Sequence, residues 1–130
     1  GDLGRIGDSG RLYVLDRIQD VIVSNGQFVF PSEVENVVQR HPNISQVSII
    51  GIPKDREKLG VISGDRQNVE QIVKAVVAVK SDIQLDTLQA FCRKEGLDDF
   101  QIPQTMDTVG KLPETPYGKI DKKSLRKPYW

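Results

Sequence analysis

The sequence predicts an α+β fold: a small two-layer sandwich in which helices flank a mixed β-sheet, preceded by a β-hairpin. Three observations carry this. Asn25-Gly26 sits between β-branched and aromatic runs, and both residues tolerate positive φ, the requirement of a tight hairpin turn. Two apolar segments, ISQVSIIGIP (44–53) and QIVKAVVAVK (71–80), have the composition of strands. Helical patterns, one opening at Pro31 and one near Asp86, alternate with those strands.

In chain order, RLYVLDRI and VIVSNGQFVF read as strands, with Asp8-Ser9-Gly10 and Asn25-Gly26 as turns. Pro31 suits the first helical turn, where its missing N–H costs nothing, and Glu33 and Glu35 suit the positive end of the dipole. Val34, Val37 and Val38 form one apolar face, and His41-Pro42 ends the element. Residues 54–70 are polar, contain glycine and show no period, so they read as a loop. In the second strand Val73, Ala75, Val77 and Val79 share a face. Asp86 is the expected N-cap of a helix whose inward face carries Leu88, Phe91 and Cys92, with Arg93 and Lys94 in its last turn and Gly96 as its stop. A short strand near Thr105–Val109, a proline-rich loop and a last helical turn from Asp121 to Arg126 complete the chain.

The 130 residues carry 18 basic and 18 acidic side chains, so no global field points to nucleic acid or an anionic membrane. No apolar run approaches the ~20 residues that cross a bilayer. One cysteine and one histidine cannot build a zinc cluster, so no metal site is expected. Cys92 reads as buried core and is compatible with a reducing cytosol, and His41 reads as a polar helix terminator. The opening GDLGRIGDSGRL enters a turn-rich pattern midway, and the chain is read as a piece of a longer protein.

The segment PETPYGKID (113–121) holds the most pointed candidate. Gly118-Lys119 has neither the spacing to an earlier glycine nor the following Ser or Thr of a P-loop. What remains is one lysine on a loop stiffened by Pro113 and Pro116. Such a lysine can serve as a point charge on anionic oxygens supplied by another surface. The competing reading is a solvated basic tail, because Lys122, Lys123, Arg126 and Lys127 follow closely.

Several segments together resemble one family. PETPYGKIDKKSLR is similar to the C-terminal signature of AMP-forming acyl- and aryl-CoA ligases, the adenylating superfamily shared with nonribosomal peptide synthetase adenylation domains and firefly luciferase. The signature runs roughly L-P-x-T-x-x-G-K-I, and Leu112, Pro113, Thr115, Gly118, Lys119 and Ile120 match it. Upstream, Gly1-Asp2, Asp16-Arg17, Gly26 and the Pro31-x-Glu33-Val34-Glu35 helix start look like the family's domain junction. HPNISQVSIIGIP and VKAVVAVK resemble its small-domain strands.

The resemblance implies that residues 1–18 are the end of a large N-terminal adenylation domain and a junction hairpin, and that 19–130 form the C-terminal lid domain. Lys119 is then the catalytic lysine of acyl-adenylate formation. Asp2 and Arg17 are the nucleotide-binding residues at the ribose, Gln19 is the hinge, and Ser24-Asn25-Gly26 lies near coenzyme A. ATP and Mg2+ would be held mainly by the large domain, with coenzyme A as co-substrate and a fatty or aromatic acid as the carboxylate. The chain alone is expected to be inactive, and the location cytoplasmic. Gln19 departs from the Asp or Lys common at the hinge, and residues 54–70 are longer than the usual loop, either a surface insertion or a partner contact. Two alternatives stand beside this reading: an adenylation subdomain loading a carrier protein, and a non-enzymatic interaction domain.

Overall fold

A computed structural model describes residues 20–54 and 69–130 in full, together with the backbone of strands 2–6 and 12–17. Strands β1 (Asp2–Ile6) and β2 (Leu12–Arg17) pair antiparallel with a register shift between Leu3 and Gly4. The expected turn at Asp8-Ser9-Gly10 lies outside the described residues, as does Gln19. Strands β3 (Ile22–Ser24) and β4 (Gln27–Val29) form the second hairpin, with φ of 53° at Asn25 and 73° at Gly26. Positive φ at both central residues is what a two-residue turn needs to follow the right-handed twist of its strands. Ile22 and Val29 face each other across this hairpin and are buried.

Helix α1 (Pro31–Val38) opens on Pro31 and buries Val34, Val37 and Val38. Helix α2 (Leu85–Lys94) buries Leu88 and Cys92, with Phe91 packed at the margin. Its N-cap is Gln84, two residues before the expected Asp86, and Gln84 makes no capping bond with its side chain. Asp86 sits inside the first turn, where its carboxylate still favours the dipole and accepts from Thr87 N–H at 2.8 Å. At the other end Gly96 has φ 101°. Its N–H donates to Arg93 O at 3.1 Å and Leu97 N–H to Cys92 O at 3.1 Å, the double closure that glycine permits after a helix.

Strands β5 (Ile44–Pro53), β6 (Gln71–Val79) and β7 (Thr105–Thr108) form one sheet in that order. β5 and β6 run antiparallel; β6 and β7 run parallel, joined through α2 as a parallel pair requires. The sheet is therefore mixed. One face carries Val47, Ile49, Val73, Ala75 and Val77 against α1, α2 and the second hairpin. The opposite face is also covered: Ile50 and Val76 pack on Leu112, with Ile120, Leu125 and Tyr129 from the C-terminal segment around them. Residues 55–68 of the expected long loop lie outside the described residues, and Lys54 N–H bonds Glu70 O at 2.9 Å across its ends.

Candidate active-site loop and its anchors

Between Leu112, which is buried, and Asp121 the chain turns back on itself. Gly118 N–H donates to Thr115 O at 2.9 Å, Thr115 N–H to Lys119 O at 2.6 Å, and Gly118 takes φ 81°. This is a three-residue hairpin loop, Pro116-Tyr117-Gly118, with glycine at the position that needs positive φ. Pro116 is suited to the first central position of the turn, where φ is already near its ring value. Glu114 pairs with Ile120 as an isolated bridge, and Asp121 N–H reaches Pro113 O at 2.8 Å, so the expected stiff loop, outside any named helix or strand, is closed by its own backbone bonds. Proline and glycine here select a tight hairpin. Lys119 leaves it exposed, and among the described residues it has no acidic partner.

The loop is tied to the core by the helix that follows, α3 (Lys122–Arg126). Asp121 caps it, accepting from Ser124 N–H at 3.1 Å and Ser124 Oγ–H at 2.8 Å. Those bonds from Ser124 hold the Asp121 carboxyl below the usual range. Lys122 reaches back to α1 and β5: its Nζ bonds the Glu35 carboxylate, Ser48 Oγ at 2.9 Å and Ile49 O at 2.9 Å. Glu35 also accepts from Ile49 N–H at 2.8 Å, so on edge strand β5 these two side chains satisfy the backbone N–H and C=O of Ile49, whose side chain is buried in the core. Arg126 Nη1 meets Asp20 Oδ1 at 2.6 Å, with both side chains nearly buried at 10% and 13% exposure. Trp130 Nε1–H closes the series on Gly51 O at 3.0 Å.

The solvated-tail reading is thereby corrected for two of its residues. Lys122 and Arg126, four apart on one helical face, point inward, whereas Lys123 and Lys127 are exposed. The i, i+4 spacing around Leu125 was the available signal for an anchored face. It does not name the partners, which are 87 residues away for Lys122 and 106 for Arg126.

Among the described residues, Ser24, Asn25 and Gly26 make no hydrogen bond to this loop, and of Asp2 and Arg17 only the backbone is described. Asp2 and Arg17 are cross-strand partners in β1–β2. Ser24 is buried, Asn25 and Gly26 are exposed, and Asn25 N–H donates to Glu70 Oε1 at 2.6 Å. His41 serves its expected role: Nδ1 accepts from Asn43 N–H at 3.1 Å, and its ring stands edge-on to Phe91. Cys92 is buried, and burial pushes its thiol up to about 11, which leaves no thiolate at neutral pH. Among the described residues there is no group of three His, Cys, Asp or Glu that could hold a metal ion.

No family model matches the sequence. Similarity to characterised proteins is nevertheless extensive. The medium/long-chain fatty-acid–CoA ligase of Mycobacterium tuberculosis is 37% identical over 132 residues, covering 100% of this chain and 22% of that enzyme. The 2-succinylbenzoate–CoA ligase of Bacillus licheniformis is 31% identical over 125 residues, covering 96% of this chain and 23% of the enzyme. The chain belongs to the AMP-forming acyl- and aryl-CoA ligase superfamily. It corresponds to the C-terminal domain of such a ligase and spans less than a quarter of the length of these relatives. The solved Mycobacterium tuberculosis fatty acyl CoA synthetase superposes with TM-score 0.79 at 31% identity, over 99% of this chain and 23% of that one. ATP-bound MatB from Rhodopseudomonas palustris superposes with TM-score 0.82 at 26% identity, over 99% and 24%.

One further set of charges in this ligase domain was not legible in the sequence. Lys74 is buried on the second face of the sheet; its Nζ lies 2.8 Å from Asp107 and 4.9 Å from the centre of the Tyr129 ring. Tyr129 O–H also donates to Asp107, at 3.1 Å. Burial pulls the Lys74 pKa down, but bonds to Asp107 and Tyr129 outweigh it and leave it above the usual value. The bond from Lys74 holds Asp107 below the usual carboxylate range. Because the folded pKa of Asp107 is depressed, its stabilisation is complete above the unfolded value of about 4 and is lost as pH falls through the lower folded one. The Lys74 contribution is lost only above pH ~10.5. Asp107→Asn is therefore expected to cost about 1 kcal/mol at pH 7, a modest figure because the carboxylate is half-exposed and screened. In urea unfolding from pH 7 to pH 3, the gap between variant and wild type should narrow; a gap constant with pH would contradict this.

Proposed function

We propose that the protein carrying this chain is an ATP-dependent, AMP-forming carboxylic acid–CoA ligase acting on a fatty or aromatic acid. Residues 19–130 would be its lid domain and residues 1–18 the end of the large domain with the junction hairpin. In the first half-reaction a carboxylate oxygen bonds the α-phosphorus of ATP and pyrophosphate leaves. In the second, the thiol sulfur of coenzyme A bonds the acyl carbon, AMP leaves, and the thiol proton passes to solvent. The observation that carries this reading is Lys119: exposed, without an acidic partner among the described residues, and set on a hairpin tied to the core through Asp121, Lys122 and Arg126. Such a cation acts on oxygens of another surface. Placed against the attacking carboxylate and the α-phosphate, it stabilises charge where charge gathers.

The remaining assignments follow the same frame. Cross-strand pairing of Asp2 with Arg17 supports their meeting one ribose. Asp20, locked to Arg126, supports a rigid lid that begins immediately after Gln19, the hinge. Rotation about Gln19 would bring the Ser24-Asn25-Gly26 turn toward coenzyme A for the second half-reaction. The described residues offer no Mg2+ ligand set, so no step of this chain is assigned to that ion. No described helix is long and apolar enough to cross a membrane. The test is acid-dependent ATP–pyrophosphate exchange by the full-length protein with dodecanoate, benzoate and 2-succinylbenzoate, followed by addition of coenzyme A. Exchange with at least one acid, then one AMP per thioester, is expected. No exchange, or ADP as the nucleotide product, would overturn the proposal.

A further inference from the structure

Among the described residues two large apolar side chains stand exposed, Phe28 at 63% and Tyr117 at 91%. Tyr117 is at the tip of the lysine hairpin, two residues before Lys119. Its backbone N–H leans on Thr115 Oγ1 at 3.4 Å, but no hydrogen bond of its hydroxyl is found among the described residues. The two residues are joined by a closed turn, so their α-carbons lie within about 7 Å of each other. A surface that takes the Lys119 ammonium into hydrogen-bond reach lies within the span of the Tyr117 side chain, which is 91% exposed on the same turn. More than three quarters of the length of each relative lies outside the matched part, which supplies such a surface in the same protein.

From this geometry we infer that Tyr117 is a positioning residue: its ring packs on the rim of the adenylate pocket of the large domain and fixes the depth at which Lys119 enters. The inference rests on the ligase reading above. An aromatic ring adds buried area with little entropy to lose, and the hairpin that carries it is already ordered by its own hydrogen bonds. The packing belongs to the adenylating orientation alone, because rotation of the lid would withdraw Lys119 and Tyr117 together.

The test uses the full-length protein and dodecanoate, or benzoate if exchange is faster with it, and measures each half-reaction separately. Tyr117→Ala should slow ATP–pyrophosphate exchange by roughly 10-fold, the scale of losing one aromatic anchor. Thioester formation from pre-made acyl-adenylate should stay within about twofold, and the melting temperature within about 2 °C, since the Tyr117 side chain is 91% exposed. Tyr117→Phe should restore exchange. Lys119→Ala is the reference. If it leaves exchange intact, the role assigned to Lys119 falls and this inference with it, whereas no exchange by the wild-type protein would sink the ligase reading itself. If it abolishes exchange while Tyr117→Ala does not slow it, only the positioning role is overturned. Equal loss in both half-reactions, or failure of Tyr117→Phe to restore exchange, also overturns it.

Discussion

Lys119→Ala in the full-length protein is expected to lower acid-dependent ATP–pyrophosphate exchange by about 10²–10³-fold, the loss typical when one preorganised donor is removed from developing anionic charge. That corresponds to roughly 3–4 kcal/mol of transition-state stabilisation. The structure separates this effect from folding. Lys119 is exposed, and its backbone, whose O accepts from Thr115 N–H, is what holds the hairpin, so truncating the side chain leaves the hydrogen bonds in place. The melting temperature should not move. Lys119→Arg keeps the charge but replaces a compact ammonium by a planar fork, so it should recover part of the rate and fall short of wild type. A variant that keeps full exchange while folding normally would overturn the role assigned to Lys119.

The second large effect is on stability. Arg126→Ala leaves Asp20 nearly buried and without its cation, and removal of one partner from such a pair costs about 3–5 kcal/mol. For a chain of this size that lowers the melting temperature by roughly 10–20 °C. The contrast is Arg93→Ala: Arg93 and Asp99 lie 3.7 Å apart with side chains 60% and 93% exposed, and its loss should stay within about 0.5 kcal/mol. Replacing Asp20 and Arg126 together by leucines should recover much of the loss, since an apolar pair removes the stranded charge. Thermal unfolding of the four proteins checks the ordering. Equal shifts for Arg126→Ala and Arg93→Ala would show that burial of the pair is unimportant. In the proposed mechanism the same pair sets where the rigid lid begins, beside Gln19.

The elements that could be read from the chain are those whose cause is local. Asn25-Gly26 suits the positive φ of a tight turn, Pro31 suits a first helical turn, and Gly96 readily takes the φ of 101° that closes the helix after Lys94. The strands at 44–53 and 71–79 follow from a composition rich in Ile and Val. Asp86 shows the limit of local reading: a good capping residue was available, and the chain began the helix two positions earlier. The second sheet face and its charges depend on contacts between distant segments. Lys74 sits in an apolar strand as if misplaced until Asp107 and Tyr129 arrive from further along the chain. Lys122 and Arg126 looked like tail charges for the same reason. For Lys119, residue types alone stopped at an exposed cation on a stiff loop, and family resemblance supplied the chemistry proposed for it.

The most direct test of that chemistry bypasses the first half-reaction. Synthetic acyl-adenylate of the preferred acid is mixed with coenzyme A and the full-length Lys119→Ala variant, and thioester formation is followed over a single turnover. If Lys119 serves adenylate formation from a lid that then rotates away, the rate should match wild type within about twofold despite the collapse of pyrophosphate exchange. A loss as deep as that seen in exchange would contradict the account.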